Sequence, residues 1–432
     1  MLSKGMHRKL KPYFVFMDLG VVFTSIILSQ IMDTMNLLLV LVLLTLRWTY
    51  TEPYEQHASL MRWFQVVFFI FFMLGILPHV FKKPLLVVWR NQINKKVVAG
   101  IAVSSFGFIL MRLKPTNDML WLSLLSVAAA ILITIIYEYA KVGNIILNEQ
   151  YRFGGVLGSD YLMVGVFSNL FTGCFIGGMM WSLKKHRKFM LALFSVAVVV
   201  SLTSSFLTGT RGAWLGLPEI VIGWSIFYYV EFCTKKNYLH SMVVALLIFG
   251  IVFLGYFLVG EKISARIDVA KQDIMLYQQG QPISSIGLRF VMYEAAIESI
   301  KDNPLYGVGS ENIGPELKER TRQIFHNKFD MNRSGFDSWD THNQYLQEAF
   351  SGGILGFFSL LFVQIYLLIF FIKHRVVNQL WAVSGMIFVV ASAINMMSYS
   401  WLRFNDGMFF YFIVATLLVY GASQPEIEER SK

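Results

Sequence analysis

Apolar runs long enough to cross a bilayer recur along almost the whole chain, separated by short polar connections. The runs at 189–209 and 241–260 approach the roughly 20 apolar residues that a hydrocarbon core of about 30 Å requires. About twelve spans are predicted: 14–31, 35–50, 62–80, 97–112, 119–137, 161–183, 189–209, 213–232, 239–260, 353–372, 379–398 and 408–423. No alternation of the β-barrel kind competes with them. One long polar stretch, 261–340, breaks the series. The expected organisation is an N-terminal transmembrane bundle over 1–260, an outer segment over 261–352, and C-terminal membrane helices with a tail over 353–432.

The polar stretch carries helical signals of its own. Ser284 or Ser285 can cap a helix running to about Lys301, which Asn303-Pro304 ends. Ile286, Phe290, Tyr293, Ile297 and Ile300 are read as its apolar stripe. A turn-rich strip, Leu305-Tyr306-Gly307-Val308-Gly309-Ser310, follows, with glycines that permit close backbone approach. A second helix over 312–326, charged on most faces, is expected to be solvated, and a short helix over 341–350 leads to Ser351-Gly352-Gly353.

Composition turns the span count into a fold class. With 56% hydrophobic and only 15% charged residues, a chain of 432 residues lacks the polar surface to cover a soluble body of its size. The reading is an all-α polytopic membrane protein with a large helical outer loop. The formal charge of +10 sits largely in short connections such as Lys184-Lys185-His186-Arg187-Lys188, so it reports topology and no nucleic-acid partner is expected. Cys174 and Cys233 fall in different spans and make neither a metal spacing nor an expected disulfide. The basic start leads into an apolar run without a cleavage pattern, so the first span is expected to be retained as an anchor.

Basic connections at 184–188, 235–236 and 373–375, with the basic N-terminus, fall on one side, which the positive-inside rule makes cytoplasmic. Both termini are then cytoplasmic and 261–340 faces outward. The connection 81–96 disagrees: it carries Lys82, Lys83, Arg90, Lys95 and Lys96 with no acid, yet this count places it outside. A miscounted span or headgroup contact by an interfacial helix explains it, as does an anion held by Arg90 and Lys95.

Three residues stand out as candidate chemistry. His342 lies where the outer segment meets a membrane helix, with Asp337 and Asp340 just before it. A neutral imidazole can take a proton from a hydroxyl, a contribution of roughly 10²–10⁴ in rate, although helix capping also suits the position. Asp337, Asp340 and His342 lack a recognisable metal-ligand spacing. Arg211, at a tight break between two spans, needs a partner or water at that depth and has the planar fork for phosphate; snorkelling to the interface is the alternative. Arg289, near the start of the Ser284 helix, suits an anion or a surface salt bridge. Asp18, Glu138 and Glu219 are isolated acids within spans, and Glu219 is a candidate partner for Arg211.

Taken in order, Thr210-Arg211-Gly212-Ala213, Gly287-Leu288-Arg289-Phe290-Val291-Met292-Tyr293, Asn303-Pro304-Leu305-Tyr306-Gly307-Val308-Gly309, His342-Asn343-Gln344-Tyr345-Leu346 and Gly352-Gly353-Ile354-Leu355-Gly356 resemble the O-antigen ligase and O-antigen polymerase superfamily. The motifs cover about 190–375. The resemblance implies a GT-C-like glycosyltransferase in a bacterial inner membrane, with its active site facing the periplasm. It implies transfer of a glycan from undecaprenyl diphosphate to a hydroxyl, inverting and without a metal or other cofactor. The acceptor is the lipid A-core of lipopolysaccharide for a ligase and another carrier-linked repeat for a polymerase. Arg211, Arg289 and His342 match the family's essential residues, and Arg90, Lys95, Tyr293, Asn343 and Tyr345 are expected to contact substrate. A twelve-span transporter is the alternative of another class, disfavoured because no internal repeat or pair of broken helices is evident.

Overall fold

The computed structural model describes residues 105–143, 153–154, 161–233, 268–281, 284–309, 311–325 and 340–426. The described residues are helical throughout, without strands. In chain order the helices are α1 (105–113), α2 (Asn117–Val142), α3 (Tyr161–Lys184), α4 (Lys188–Leu207), α5 (Arg211–Trp214), α6 (Leu217–Tyr228), α7 (268–278), α8 (Ser285–Asp302), α9 (Ile313–Phe325), α10 (Gln344–His374), α11 (Gln379–Met396) and α12 (Asn405–Ser423). Six helical stretches among the described residues are long and apolar enough to cross a membrane, and 407–423 adds a shorter apolar helix. Seven of the predicted spans correspond to these; those at 14–31, 35–50, 62–80 and 239–260, the first half of 97–112, and the cationic connection 81–96 lie outside the described residues.

The described residues form two compact units. One takes the residues up to Trp224 and those from Ser359 onward; the other takes Ser225–Phe358. In the first unit α3 is the enclosed helix: 78% of its most apolar window is buried, against 33% for α4, so α4 keeps a lipid-facing side and α3 does not. Small residues on α3 let neighbours approach, as where Gly178 faces the Phe194 ring and Trp224 Nε1 donates to Gly173 O at 2.9 Å. Hydroxyls at bilayer depth pair across helices, Ser168 with Ser204 at 2.9 Å and Thr172 with Ser201 at 2.7 Å, since hydrocarbon offers no other partner.

The second unit is built on α8 and α9. Ser284 Oγ accepts from Gly287 N at 3.1 Å, as the capping signal predicts. The apolar stripe differs from the expectation. Val291, Met292, Ala295 and Ala296 enter the core, while Ile297 is 46% exposed. Alanines allow α9 to pack closely, so burial follows the small face and not the largest side chains. Nor is α9 solvated on all faces: Ile313, Leu317 and Thr321, spaced by one turn each, are buried against α8. Charged residues tie the other side, where Arg320 meets Glu316 at 2.9 Å and also Asp302 on α8. The polar stretch also contains α7, which the sequence reading did not assign. Its Tyr277 hydroxyl donates to Glu294 of α8; burial and that carboxylate push the phenol up to about 12.

The short helix expected over 341–350 is continuous with the following span. They form α10, kinked at Gly353, where φ is 65° and ψ is −157°. At the kink the strip after α8 binds backbone to backbone: Val308 N donates to Phe350 O at 2.8 Å, Gly309 N to Ser351 O at 2.9 Å, and Ile354 N to Pro304 O at 2.8 Å. A Cβ on Gly353 would fall on the Leu305 backbone, and one on Gly307 would lie 2.5 Å from Phe350 O. Gly352 has open space beside it. Gly353→Ala is therefore expected to destabilise the protein by more than about 2 kcal/mol, and Gly352→Ala by less than about 1 kcal/mol. Thermal melting of the two variants in detergent checks the contrast, and equal melting temperatures would refute it.

Candidate functional site

His342 stands immediately before α10 with φ at 49°, in the left-handed region, where a side chain other than glycine's carries strain. Local contacts hold it there. Asp340 Oδ1 accepts from His342 N at 3.0 Å and lies 3.3 Å from His342 Nδ1. The Asp340 side chain is 8% exposed and that of His342 is 30% exposed, so a buried carboxylate supports a partly open imidazole. Thr341 N and Oγ1 both donate to Gln347 Oε1, at 3.0 and 3.2 Å, closing the turn from the other side.

Asn343 has two roles. Its Oδ1 accepts from Tyr345 N at 3.0 Å and Leu346 N at 3.1 Å, the arrangement of a helix N-cap. Its amide also hydrogen-bonds the Tyr293 hydroxyl. Tyr293 lies one helical turn after Arg289 on α8, so both present to the same side. Burial pushes the Tyr293 phenol up, the charge of Arg289 and the Asn343 hydrogen bond pull it down, and the Asp340 carboxylate pushes it up again. Tyr293 is thus the point where Arg289, Asn343 and Asp340 converge. The Tyr345 ring meets that of Phe357 edge-on at 6.5 Å.

Arg211 belongs to the other unit. Gly209, with φ at 63°, turns the chain after α4, and Thr208 Oγ1 accepts from Thr210 N at 3.2 Å. Arg211 then opens the four-residue α5, clamped from two sides. Asn169 Nδ2 of α3 donates to Ala213 O at 2.5 Å, and Ser398 Oγ, just after α11, donates to Gly212 O at 3.1 Å. A Cβ on Gly212 would lie 2.7 Å from Ser398 Oγ, so the glycine in this motif is a packing requirement. The Arg211 side chain, its expected pairing with Glu219, and Arg90, Lys95 and Asp337 lie outside the description.

Of the expected site residues, Arg289, Tyr293, Asn343 and His342 are brought together in one unit. Asp340, which the sequence reading noted without giving it a task, supports the imidazole. Its signal was the Asp-x-His spacing, which lets a carboxylate reach the N–H two residues on. Gln347 and Thr341 were missed, since nothing in their spacing distinguishes them from ordinary turn residues.

A multi-pass helical membrane protein with an arginine, a tyrosine and a carboxylate-supported histidine gathered in one polar unit is the class so defined. Over residues 196–361 the chain matches the family model described as O-antigen ligase, the family its motifs resemble. Arg211, Arg289 and His342 all fall within that match. Over 237 residues it is 32% identical to an uncharacterized protein of Haemophilus influenzae, covering 53% of this chain and 56% of the relative. Over 249 residues it is 23% identical to the O-antigen ligase of Escherichia coli K12, covering 56% of each. The chain thus spans little more than half the length of the curated relatives it matches.

The double role of Asn343 can be separated by substitution. Asn343→Asp keeps the capping oxygen but replaces the amide donor facing Tyr293 with a second carboxylate near Asp340. Asn343→Ala removes both, with a cap loss of about 1 kcal/mol. Asn343→Asp is expected to melt above Asn343→Ala; the reverse order by differential scanning calorimetry would show that capping is not the larger contribution.

Proposed function

We propose that this protein is an O-antigen ligase, a glycosyltransferase that moves O-antigen polysaccharide from undecaprenyl diphosphate to the lipid A-core oligosaccharide on the periplasmic face of a bacterial inner membrane. The observation that carries the reading is the Asp340–His342 pair held beside Arg289 and Tyr293, inside the stretch that matches the O-antigen ligase family.

The chemistry of the donor dictates the roles. As the anomeric bond breaks, negative charge grows on the departing diphosphate, so a fixed guanidinium stabilises the transition state more than the bound substrate. Arg289 takes this role, and Tyr293, kept protonated by burial, remains a hydrogen-bond donor beside it. Arg211 is assigned to the same leaving group, supported by its family motif and by the rigid clamp on α5. We assign the Nδ1 proton to the side that faces Asp340 Oδ1, 3.3 Å away, which leaves the basic lone pair of His342 on Nε2. His342 Nε2 removes the acceptor hydroxyl proton as that oxygen attacks the sugar from the face opposite the diphosphate. A single displacement inverts the anomeric centre and needs no protein nucleophile. No step draws on a metal or cofactor, so transfer is expected to be insensitive to chelators. Arg90, Lys95, Asn343 and Tyr345 are assigned to substrate contact.

Purified protein in detergent, supplied with carrier-linked glycan and lipid A-core, tests the class, since a transporter has no activity without a sealed compartment. His342→Ala, Arg289→Ala and Arg211→Ala are each expected to abolish transfer at unchanged protein level. Asp340→Asn is expected to lose about 10-fold or more, but less than the roughly 10²–10⁴ of His342→Ala. Normal transfer by His342→Ala would overturn the mechanism. In cells lacking the gene, a lipopolysaccharide gel showing bare core with polymer retained on the carrier identifies a ligase, whereas core bearing a single repeat identifies a polymerase.

A further inference from the structure

Side chains hold the backbone before His342 at two successive peptide units. His342 N donates to Asp340 Oδ1 at 3.0 Å, and Thr341 N, one residue earlier, donates to Gln347 Oε1 at 3.0 Å. After His342, Asn343 caps α10. A residue at φ 49° does not stay there by its own preference, so its neighbours have to hold it. The restraints differ in origin. Asp340 lies in the turn itself, whereas Gln347 and the amides that Asn343 caps belong to the first turn of α10.

The helix has no need of the Gln347 side chain. The backbone N–H of Gln347 donates to Asn343 O at 2.8 Å whatever the side chain does. Among the described residues, the side chain's hydrogen bonds run to Thr341 alone: Oε1 accepts from Thr341 N and lies 3.2 Å from Thr341 Oγ1. Only an oxygen can accept from a backbone N–H, which fixes the orientation of the amide. Thr341 is 0% exposed and Gln347 3%, so water is not at hand to replace the glutamine, and Thr341 N would lose its partner with it. Any shift of the Thr341 peptide passes directly to His342, the next residue, and to the 3.3 Å between its Nδ1 and Asp340 Oδ1.

We infer that Gln347 is a positioning residue for the base proposed at His342: it ties the Asp340–Thr341 peptide to α10 and so sets where the imidazole stands, acting through Thr341 and not on the substrate. The inference rests on the O-antigen ligase reading. It gives the two side chains that hold the turn separate duties, with Asp340 facing Nδ1 of the ring and Gln347 fixing the backbone that carries the ring. A misplaced base still permits the acceptor to bind but meets its hydroxyl badly. The loss therefore falls on kcat, and a displacement of about 1 Å is enough to cost about 10²-fold.

Steady-state transfer by the purified full chain in detergent, supplied with carrier-linked glycan and lipid A-core, tests this role. Gln347→Met keeps the length of the side chain and removes its amide oxygen. It is expected to lower kcat by about 10- to 100-fold while KM for lipid A-core stays within about twofold. Because Asp340 and Gln347 act on one turn, Asp340→Asn combined with Gln347→Met is expected to lose far less than the product of the separate losses. Unchanged kcat, a loss carried by KM, or losses that multiply overturn the inference. If Gln347→Met does not fold, Gln347→Asn, whose oxygen stops one methylene short of Thr341, is read by the same criteria. His342→Ala measured in parallel separates the two levels: normal transfer by it sinks the ligase mechanism, whereas its inactivity beside a fully active Gln347→Met sinks the role of Gln347 alone.

Discussion

Two backbone segments of the polar unit approach so closely that only glycine fits between them, and the positions of Arg289 and His342 follow from that contact. A kink in α10 leaves amide and carbonyl groups without helical partners, and such groups, once buried, must be satisfied by protein. The strip after α8 supplies partners at Phe350, Ser351 and Ile354. It then carries Val308 into the core shared with Phe350, Val291 and Met292. The helix bearing Arg289 and Tyr293 and the turn bearing His342 are thereby fixed to one short piece of chain. Any side chain at Gly353 would push against backbone, not a movable group, so the contact cannot relax cheaply.

Much of this was legible in the sequence, for identifiable reasons. Membrane helices announce themselves because one run of about 20 apolar residues is sufficient evidence. The Ser284 cap and the stop at Asn303-Pro304 are local chemistry and fell where expected. The core face of α8 was misjudged because it is lined by Ala295 and Ala296, whose value lies in letting α9 approach, a property that side-chain hydrophobicity undervalues. In α9 the buried Ile313, Leu317 and Thr321 were obscured by the charges around them. The glycines of the strip and of the kink were both noticed, but their mutual contact is long-range and nothing in either motif names its partner. The same holds for Gly212, which looks like a turn residue until Ser398 is seen beside it.

Polar side chains in the membrane helices form a second framework. Asn169, Ser168 and Thr172 occupy adjacent turns of α3, and their partners are Ala213 O of α5 and Ser204 and Ser201 of α4. In hydrocarbon these bonds have no competition from water, so α3, α4 and α5 are held in one register. The turn carrying Arg211 is thereby fixed through Asn169 and Ala213 O and through Ser398 and Gly212 O.

The backbone of His342 explains why a carboxylate two residues earlier suits this position. A histidine in the left-handed region, at the mouth of a long helix, gains little from its own backbone conformation, and the positive end of α10 favours an anion nearby. Asp340 meets both conditions with one oxygen: it accepts the strained residue's N–H and faces Nδ1 of the same side chain. Backbone and imidazole are therefore oriented by a single group, itself buried and so unable to turn away freely. A glutamate could not close the same tight turn, and an asparagine would keep the backbone bond while losing the charge opposite the ring. The geometry thus suits aspartate by its length and by its charge together, and the general-base role proposed for His342 rests on that arrangement.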